Sequence, residues 1–166
     1  ESRKPTLIDA DGIKAMGRVT GVAGFPLVVT PHAGEFQVLS GEAPSSDLQK
    51  RSEEVRSLAK ILGGTVLLKG NVDVVSDGKK VKLNRTGNPA MTVGGTGDVL
   101  SGIVAGFMAM SVPEFQASVA GAFINGAAGD LAKVDLGDHL APTDLIHLIP
   151  RVVNDPMLHA KLRATK

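Results

Sequence analysis

The stretch GNPAMTVGGTGDVLSG, residues 87–102, places five glycines and one proline around a single acid, Asp98, before an apolar run begins. It lacks the Lys-Ser/Thr ending of a Walker A loop, and Leu100 stands where the last glycine of a GxGxxG motif would be. Glycines reach positive φ and let backbone N–H groups converge on one point. The helix predicted after the loop brings its free N-terminal amides and positive dipole end to the same place. The loop therefore predicts an anion hole suited to phosphate oxygens.

Asp98 lies in or just before the first turn of that predicted helix. As a helix-capping acid, it would contribute about 1 kcal/mol to stability. As a carboxylate beside a phosphate site, it would accept a proton from a substrate hydroxyl as that oxygen attacks phosphorus. A Ser or Asn would cap the helix without needing three neighbouring glycines. We therefore favour the interpretation of Asp98 as a catalytic base.

Composition excludes several classes of protein. The 166 residues are enough for one domain with a sizeable core, and the absence of cysteine excludes disulfides and thiolate metal sites. A net charge of +1, with acids and bases mixed and no Tyr or Trp, argues against nucleic acid as a main partner. The chain has no apolar run of about 18 residues, the length of a membrane span, and its start lacks the apolar core of a signal peptide. We expect a cytoplasmic location.

Apolar runs alternate with helical patterns along the chain. Ser46 and Gln49 match a capping box at the start of a helix that ends near Leu62, and Pro150 is expected to stop the last helix. Strands are predicted at residues 5–9, 25–31 and 65–70, a hairpin at 72–84, and further helices at 99–110, 114–133 and 142–149. This order predicts one α/β domain with a mostly parallel central sheet flanked by helices and a β-hairpin.

Three sequence blocks carry a family resemblance. In chain order they are VVTPHAGEF at 28–36, LLKGNVDVVSDG at 67–78 and TGNPAMTVGGTGDVLSGIVAG at 86–106. They resemble the NAD(P)H-hydrate dehydratases of the ribokinase-like superfamily, as do DAD at 9–11 and LIHLIPRV at 145–152. The resemblance implies a hydro-lyase that uses ADP or ATP, with Mg²⁺, to phosphorylate the hydroxyl of hydrated NADH or NADPH. Loss of phosphate then restores the nicotinamide ring.

The resemblance also implies roles for particular residues. Asp98 would activate the hydroxyl and contact the substrate, His32 would contact the hydrated nicotinamide nucleotide, and Glu35 would influence Mg²⁺ through water. The nucleotide-binding residues would be Lys69, Gly70, Asn71, Val72, Asp73, Gly95, Thr96 and Gly97. Bacterial members often have Thr where this chain has Asp73, which leaves the detailed nucleotide contacts open.

Simpler interpretations remain for these residues. His32 would otherwise be a turn-capping or partly buried imidazole, and Lys69 an ordinary loop lysine. A zinc site is disfavoured because Phe36 follows Glu35 where an inverzincin would have His.

Other polar residues give weaker signals. Asn125 either lines the nucleotide pocket or simply accompanies the small residues of a packed helix, and Asp130 is expected to be a capping or solvated acid. The remaining histidines show no ligand spacing and are expected at the surface: His139, His147 and His159.

The family domain normally has a substantial stretch before its DAD element. We therefore expect the C-terminal portion of an incomplete domain, stable only with its remainder or in an oligomer. Two other functions remain open at this stage. One is a small-molecule kinase of the same fold, similar to hydroxyethylthiazole kinase, and the other is a non-catalytic nucleotide-binding subunit.

Overall fold

The computed structural model describes residues 4–159, which form one five-stranded sheet with helices on both faces. The strands, in both chain and spatial order, are β1 (Thr6–Ile8), β2 (Leu27–Val29), β3 (Thr65–Leu68), β4 (Asp73–Ser76) and β5 (Val81–Asn84). Strands β1, β2 and β3 pair in parallel, whereas β4 and β5 pair antiparallel as the predicted hairpin. The expected parallel strands and hairpin are confirmed, and the sheet as a whole is mixed.

Burial on both faces of the sheet explains the apolar strand sequences. Leu27 and Val29 point into one core cluster and Val28 into another, because neighbouring strand residues face opposite sides. The helices are α1 (Asp11–Met16), α2 (Ala33–Ser40), α3 (Leu48–Leu62), α4 (Thr96–Ala109), α5 (Glu114–Leu136) and α6 (Pro142–Asn154). The first three cover one face of the sheet, and α4 and α5 cover the other. Within residues 4–159, no helix is long and apolar enough to cross a bilayer.

The start of α3 differs from the predicted one. The N-cap is Asp47, whose Oδ1 accepts the Lys50 N–H at 2.8 Å, so the capping box of Ser46 and Gln49 is wrong. Asp is as good an N-cap as Ser. The helix that begins after Asp47 buries Val55 in the core. The helix ends at Leu62 as predicted, where Gly63 takes the left-handed conformation.

The predicted stop at Pro150 is also wrong, because α6 continues to Asn154. The helix is amphipathic and buries Leu145 and Val152, which lie on either side of the proline along the chain. Pro150 itself is exposed. Ile146, whose carbonyl loses its usual donor, is half-exposed, so water can replace that hydrogen bond. Packing of the apolar face thus outweighs the local cost of proline.

Candidate active site

Several polar side chains meet where the parallel strands end. Asp9 directly follows β1, Thr30 directly follows β2, and Lys69 directly follows β3. The N-terminal half of α4 reaches the same edge, where the Ser101 hydroxyl contacts Asp9 at 2.6 Å and lies 3.4 Å from the Thr30 hydroxyl. The carboxyl ends of parallel strands are the usual place for ligands in open α/β sheets, so this edge is the candidate site.

Asp9 connects three elements of the site. Its Oδ1 accepts a hydrogen bond from the Lys69 ammonium at 2.9 Å, and its Oδ2 accepts one from Ser101 at 2.6 Å. Burial raises the pKa of Asp9, but these hydrogen bonds and the charge of Lys69 outweigh it and leave the pKa below its usual value. Asp9 therefore remains an ionised acceptor for both partners at neutral pH.

His32 and Glu35 hold the start of α2 reciprocally. The His32 Nδ1 accepts the amides of Gly34 and Glu35 at 3.0 and 3.3 Å, and the Glu35 Oε2 accepts the His32 N–H at 2.8 Å. Since Nδ1 is an acceptor, these bonds assign the proton of a neutral imidazole to Nε2, which lies 3.3 Å from the Glu35 Oε1. The interpretation of His32 as a capping imidazole is confirmed. Its side chain is nevertheless 57% exposed, so contact with a substrate stays a prediction.

The glycine loop leaves the start of α4 open. Gly95 is the N-cap, with φ of 102°, and no side chain of the residues that the structure describes caps the helix. Asp98 is the third residue of α4 and is exposed, so it does lie in the first turn. Within residues 4–159, its carboxylate makes no hydrogen bond or ion pair, so the helix-capping interpretation is wrong. The arrangement leaves both the carboxylate and the first amides available to a ligand.

Lys69 lies against the glycine loop. Its Nζ is 3.5 Å from the point where a Cβ on Gly97 would stand, and 3.9 Å from the Glu35 Oε2. The structure thus brings together Lys69, Gly97, Glu35 and, through Glu35, His32. The ammonium already pairs with Asp9, so it is a fixed positive charge rather than a freely moving loop lysine.

The next residues of the predicted nucleotide segment form a loop that Asp73 holds in shape. Gly70 and Asn71 are exposed, and the Asn71 Oδ1 accepts the amide of Val72. The Asp73 carboxylate accepts hydrogen bonds from the Gly70 amide at 3.0 Å and from the Asn84 amide group at 2.9 Å. Both oxygens of Asp73 therefore shape the loop, which leaves Gly70 and Asn71 as its ligand-accessible part.

Asp130 is neither a capping nor a solvated acid, which corrects that expectation. Its oxygens accept hydrogen bonds from the Gly87 amide at 3.1 Å and the Asn88 side chain at 3.0 Å, and the His159 Nε2 lies 2.6 Å away. His159 is 7% exposed, so the expectation of a surface residue is wrong for it, whereas His139 is exposed. This cluster ties the segment before the glycine loop to α5.

Comparison with known proteins identifies the family. The model of the NAD(P)H-hydrate dehydratase family matches residues 1–151. This chain belongs to that family. It is 49% identical over 151 residues to the bifunctional NAD(P)H-hydrate repair enzyme Nnr of Pyrobaculum aerophilum, covering 91% of this chain and 30% of that protein. It is also 49% identical over 132 residues to the ADP-dependent (S)-NAD(P)H-hydrate dehydratase of Cenarchaeum symbiosum, covering 80% and 46% of the two chains.

A solved dehydratase structure confirms the expected ribokinase-like fold. The ADP/ATP-dependent NAD(P)H-hydrate dehydratase of Bacillus subtilis, co-crystallised with ATP and Mg²⁺, superposes with a TM-score of 0.79 at 31% identity. The match covers 90% of this chain and 54% of that one. The chain thus spans about a third to a little over half the length of the dehydratases to which it is similar.

The candidate site offers little direct coordination for a metal. Within residues 4–159, no group of three His, Asp or Glu side chains is placed to hold an ion. Glu35 is 4% exposed, and both of its oxygens face His32. These donors do not form a protein cage, but they fit Mg²⁺ that arrives on nucleotide phosphates and keeps several waters.

Sequence analysis missed Asp9 and Ser101 as site residues. Asp9 carries the same signal that marked Lys69, a polar residue directly after a buried strand, but only its family likeness was noted. Ser101 gives no local signal, since its partner Asp9 is 92 residues away. Asn125 is buried in α5, and its Oδ1 has no hydrogen-bond partner among the described residues.

Proposed function

We propose that this chain forms the nucleotide-binding and catalytic part of an ADP- or ATP-dependent NAD(P)H-hydrate dehydratase. One observation carries the proposal. Asp98 is exposed in the first turn of α4, whose start a glycine loop leaves uncapped, and it has no hydrogen-bond or ion-pair partner in the described part of the chain. The free amides suit the phosphates of a nucleotide, and the carboxylate suits a neighbouring hydroxyl.

In this proposal, different residues of the candidate site act on different parts of the reaction. The nucleotide phosphates would lie on the amides around Gly97, where the dipole of α4 and the Lys69 ammonium offset their charge. Asp98 would take the proton of the hydrate's hydroxyl while that oxygen attacks the terminal phosphorus and the bond to the nucleotide breaks. Loss of phosphate and a ring proton from the hydrate then restores the nicotinamide ring.

The substrate and the metal occupy the remaining positions in this proposal. The exposed edge of His32 would contact the hydrated nicotinamide nucleotide, and Gly70 and Asn71 would contact the AMP part of the nucleotide. Mg²⁺ would neutralise the phosphate charge, held by the phosphates and by water, with Glu35 acting at most through water. The names of the Cenarchaeum and Bacillus relatives support ADP or ATP as the phosphoryl donor.

The direct test follows the recovery of dihydronicotinamide absorbance from hydrated NADH with ADP, ATP and Mg²⁺. The assay uses the full protein that the gene encodes. Asp98→Asn should lower kcat by roughly 10²-fold, the usual contribution of a general base, and should keep its affinity for ADP. Glu53→Gln, an exposed acid on α3 at the opposite face of the sheet, is the control and should keep full turnover.

Three outcomes would contradict the proposal. No recovery together with phosphorylation of another alcohol would favour a small-molecule kinase. ADP binding without any turnover would favour a non-catalytic subunit. Full activity of Asp98→Asn would remove the base from the mechanism.

We also propose that the chain works within a larger assembly, either with further sequence of the same family domain or with a second copy. Within residues 4–159, the outer edge of β1 pairs with no other strand, and the chain covers 54% of the Bacillus structure. Sedimentation of the purified 166-residue chain tests this, since a stable and active monomer would contradict it. The cytoplasmic location stays a prediction.

A further inference from the structure

Among the described residues no side chain caps the first turn of α4, and its one usual stabiliser of a helix start is the acid Asp98. The second residue of this turn is Gly97, a poor helix former. A missing cap costs about 1 kcal/mol, and a glycine in place of alanine inside a helix costs about the same. This turn carries Asp98, so the position of the Asp98 carboxylate depends on the contacts that other residues make with the turn.

Two contacts anchor the glycine loop and Thr96, the first residue of α4. The single proton of the Thr96 hydroxyl has two carbonyl acceptors within reach, Met91 at 2.9 Å and Val93 at 3.1 Å. A Cβ on Gly95 would stand 2.7 Å from Pro142, so α6 packs directly against the loop. These contacts hold the loop against its neighbours without linking α4 to the strand ends.

Asp9 makes the shorter of two polar links between Ser101 on α4 and the strand ends, since the Thr30 hydroxyl lies farther away, at 3.4 Å. Ser101 follows Asp98 by three residues, so both side chains lie on the same side of α4. The Ser101 hydroxyl donates to the Asp9 Oδ2 at 2.6 Å, which is short for such a bond and typical of an ionised acceptor. Asp9 is itself held by Lys69 at 2.9 Å, and its side chain is 13% exposed. This hydrogen bond between Ser101 and Asp9, called the tie below, is therefore short, shielded from water and fixed at its strand end.

We propose that Asp9 is a positioning residue that fixes the first turn of α4, and with it Gly97 and Asp98, by means of its hydrogen bond from Ser101. A side-chain cap would occupy the very amides that a phosphate needs, whereas a tie one turn further along leaves them free. Lys69 keeps the Asp9 carboxylate in place and supplies the charge beside Gly97. The consequence of this tie for turnover rests on the proposed function.

Hydrogen exchange of the backbone amides of residues 99–102 tests the tie without requiring any activity. The carbonyls of residues 95–98 are their helical acceptors, as in the bond from the Val99 N–H to the Gly95 carbonyl. Ser101→Ala and Asp9→Asn should each accelerate this exchange by about tenfold or more, while other helices stay unchanged. Ser101→Thr, which keeps the hydroxyl, should stay within about twofold of the wild type.

The choice of alanine and threonine makes the test sharp. Intrinsic helix propensity alone would slow exchange in Ser101→Ala, because alanine is the best helix former, and would not protect Ser101→Thr. The tie predicts the opposite order. Asp11→Asn is the matched control, since this neighbouring acid is exposed and pairs only with Lys14 among the described residues. If Asp9→Asn fails to fold, the comparison of Ser101→Ala with Ser101→Thr still tests the tie.

Turnover supplies the second measurement. Ser101→Ala should lower kcat by about tenfold and should also weaken ADP binding, since the same turn carries Gly97 and Asp98. The double variant with Asp9→Asn should be no worse than Asp9→Asn alone. Unchanged exchange in Ser101→Ala, acceleration spread evenly over the protein, or equal acceleration in Ser101→Thr would overturn the inference. A wild type with the expected exchange pattern but no dehydration would overturn only the proposed function.

Discussion

The His159 Nε2 lies 2.6 Å from the Asp130 Oδ2, and both side chains are mostly buried. The same carboxylate receives the Gly87 amide and the Asn88 side chain, which come just before the glycine loop. One acid on α5 therefore determines where the chain enters the loop that carries the candidate site. Its protonation should affect the stability of the fold.

Asp130→Asn should destabilise the protein in a pH-dependent way. Burial raises the pKa of Asp130, but hydrogen bonds from Asn88 and Gly87, with the contribution of His159, bring it below the usual 3.8. A lowered folded-state pKa gives stability that is present above 3.8 and is lost as pH falls through the folded value. We expect the free energy of unfolding of the variant to be about 1–3 kcal/mol below that of the wild type at pH 7, and this difference to be smaller at pH 3. Urea unfolding at both values measures this.

The control for this prediction is Asp135→Asn, which changes an exposed acid on the same helix. It should change the free energy of unfolding by less than about 0.5 kcal/mol. A loss in Asp130→Asn that stays constant from pH 7 to pH 3 would show that the carboxylate charge is irrelevant there.

The contribution of Asp73 to the free energy of unfolding should change with pH in the opposite direction. Burial raises its pKa above 3.8, and hydrogen bonds from Asn84 and Gly70, with the charge of Lys69, offset this only in part. The folded state then keeps the proton to a higher pH than the unfolded chain. The free energy of unfolding therefore falls as pH rises from 3.8 through the folded value. Asp73→Asn should lack this fall, so its stability relative to the wild type should increase with pH across that window. Parallel curves in urea titrations would refute the prediction.

Substitution can separate the capping role of His32 from its proposed contact with the substrate. Asn is a good N-cap, so His32→Asn should keep the cap of α2 while it removes the ring edge that carries Nε2 and the contact of Nε2 with the Glu35 Oε1. We expect its melting temperature to stay near that of the wild type while KM for the hydrate rises about tenfold, as for one lost hydrogen bond. His32→Ala should raise KM similarly and also lose about 1 kcal/mol of stability. If the asparagine variant keeps the wild-type KM, His32 is only a cap.

The layered fold could be predicted because its signals are local. Residues 27–29 and 65–68 are apolar throughout because they are buried on both faces of the sheet, which a single sequence shows directly. The start of α4 was placed three residues too late, because a glycine-rich segment resembles a loop. Pro150 was treated as a stop because its cost is local, whereas the packing that outweighs it is not.

The candidate site was predictable only in part. His32, Lys69 and Asp98 each follow a strand or a loop that marks them in the sequence. The bonds that orient the site join residues far apart, such as Asp9 with Ser101 and Asp130 with Gly87. No local pattern encodes these pairs, because each depends on how complete helices pack against the sheet.

The close approach of α5 to Thr86 gives a final prediction. A Cβ on Gly126 would stand 2.6 Å from the backbone carbonyl carbon of Thr86, which cannot move without shifting the chain toward the glycine loop. Gly126→Ala should therefore lose about 1–3 kcal/mol of stability and should weaken ADP binding. Gly102 lies on α4 with open space around it, so Gly102→Ala should instead gain about 0.5–1 kcal/mol. Thermal unfolding and calorimetry with ADP measure both variants. Equal effects of the two substitutions would show that helix propensity, and not the contact with Thr86, decides the outcome.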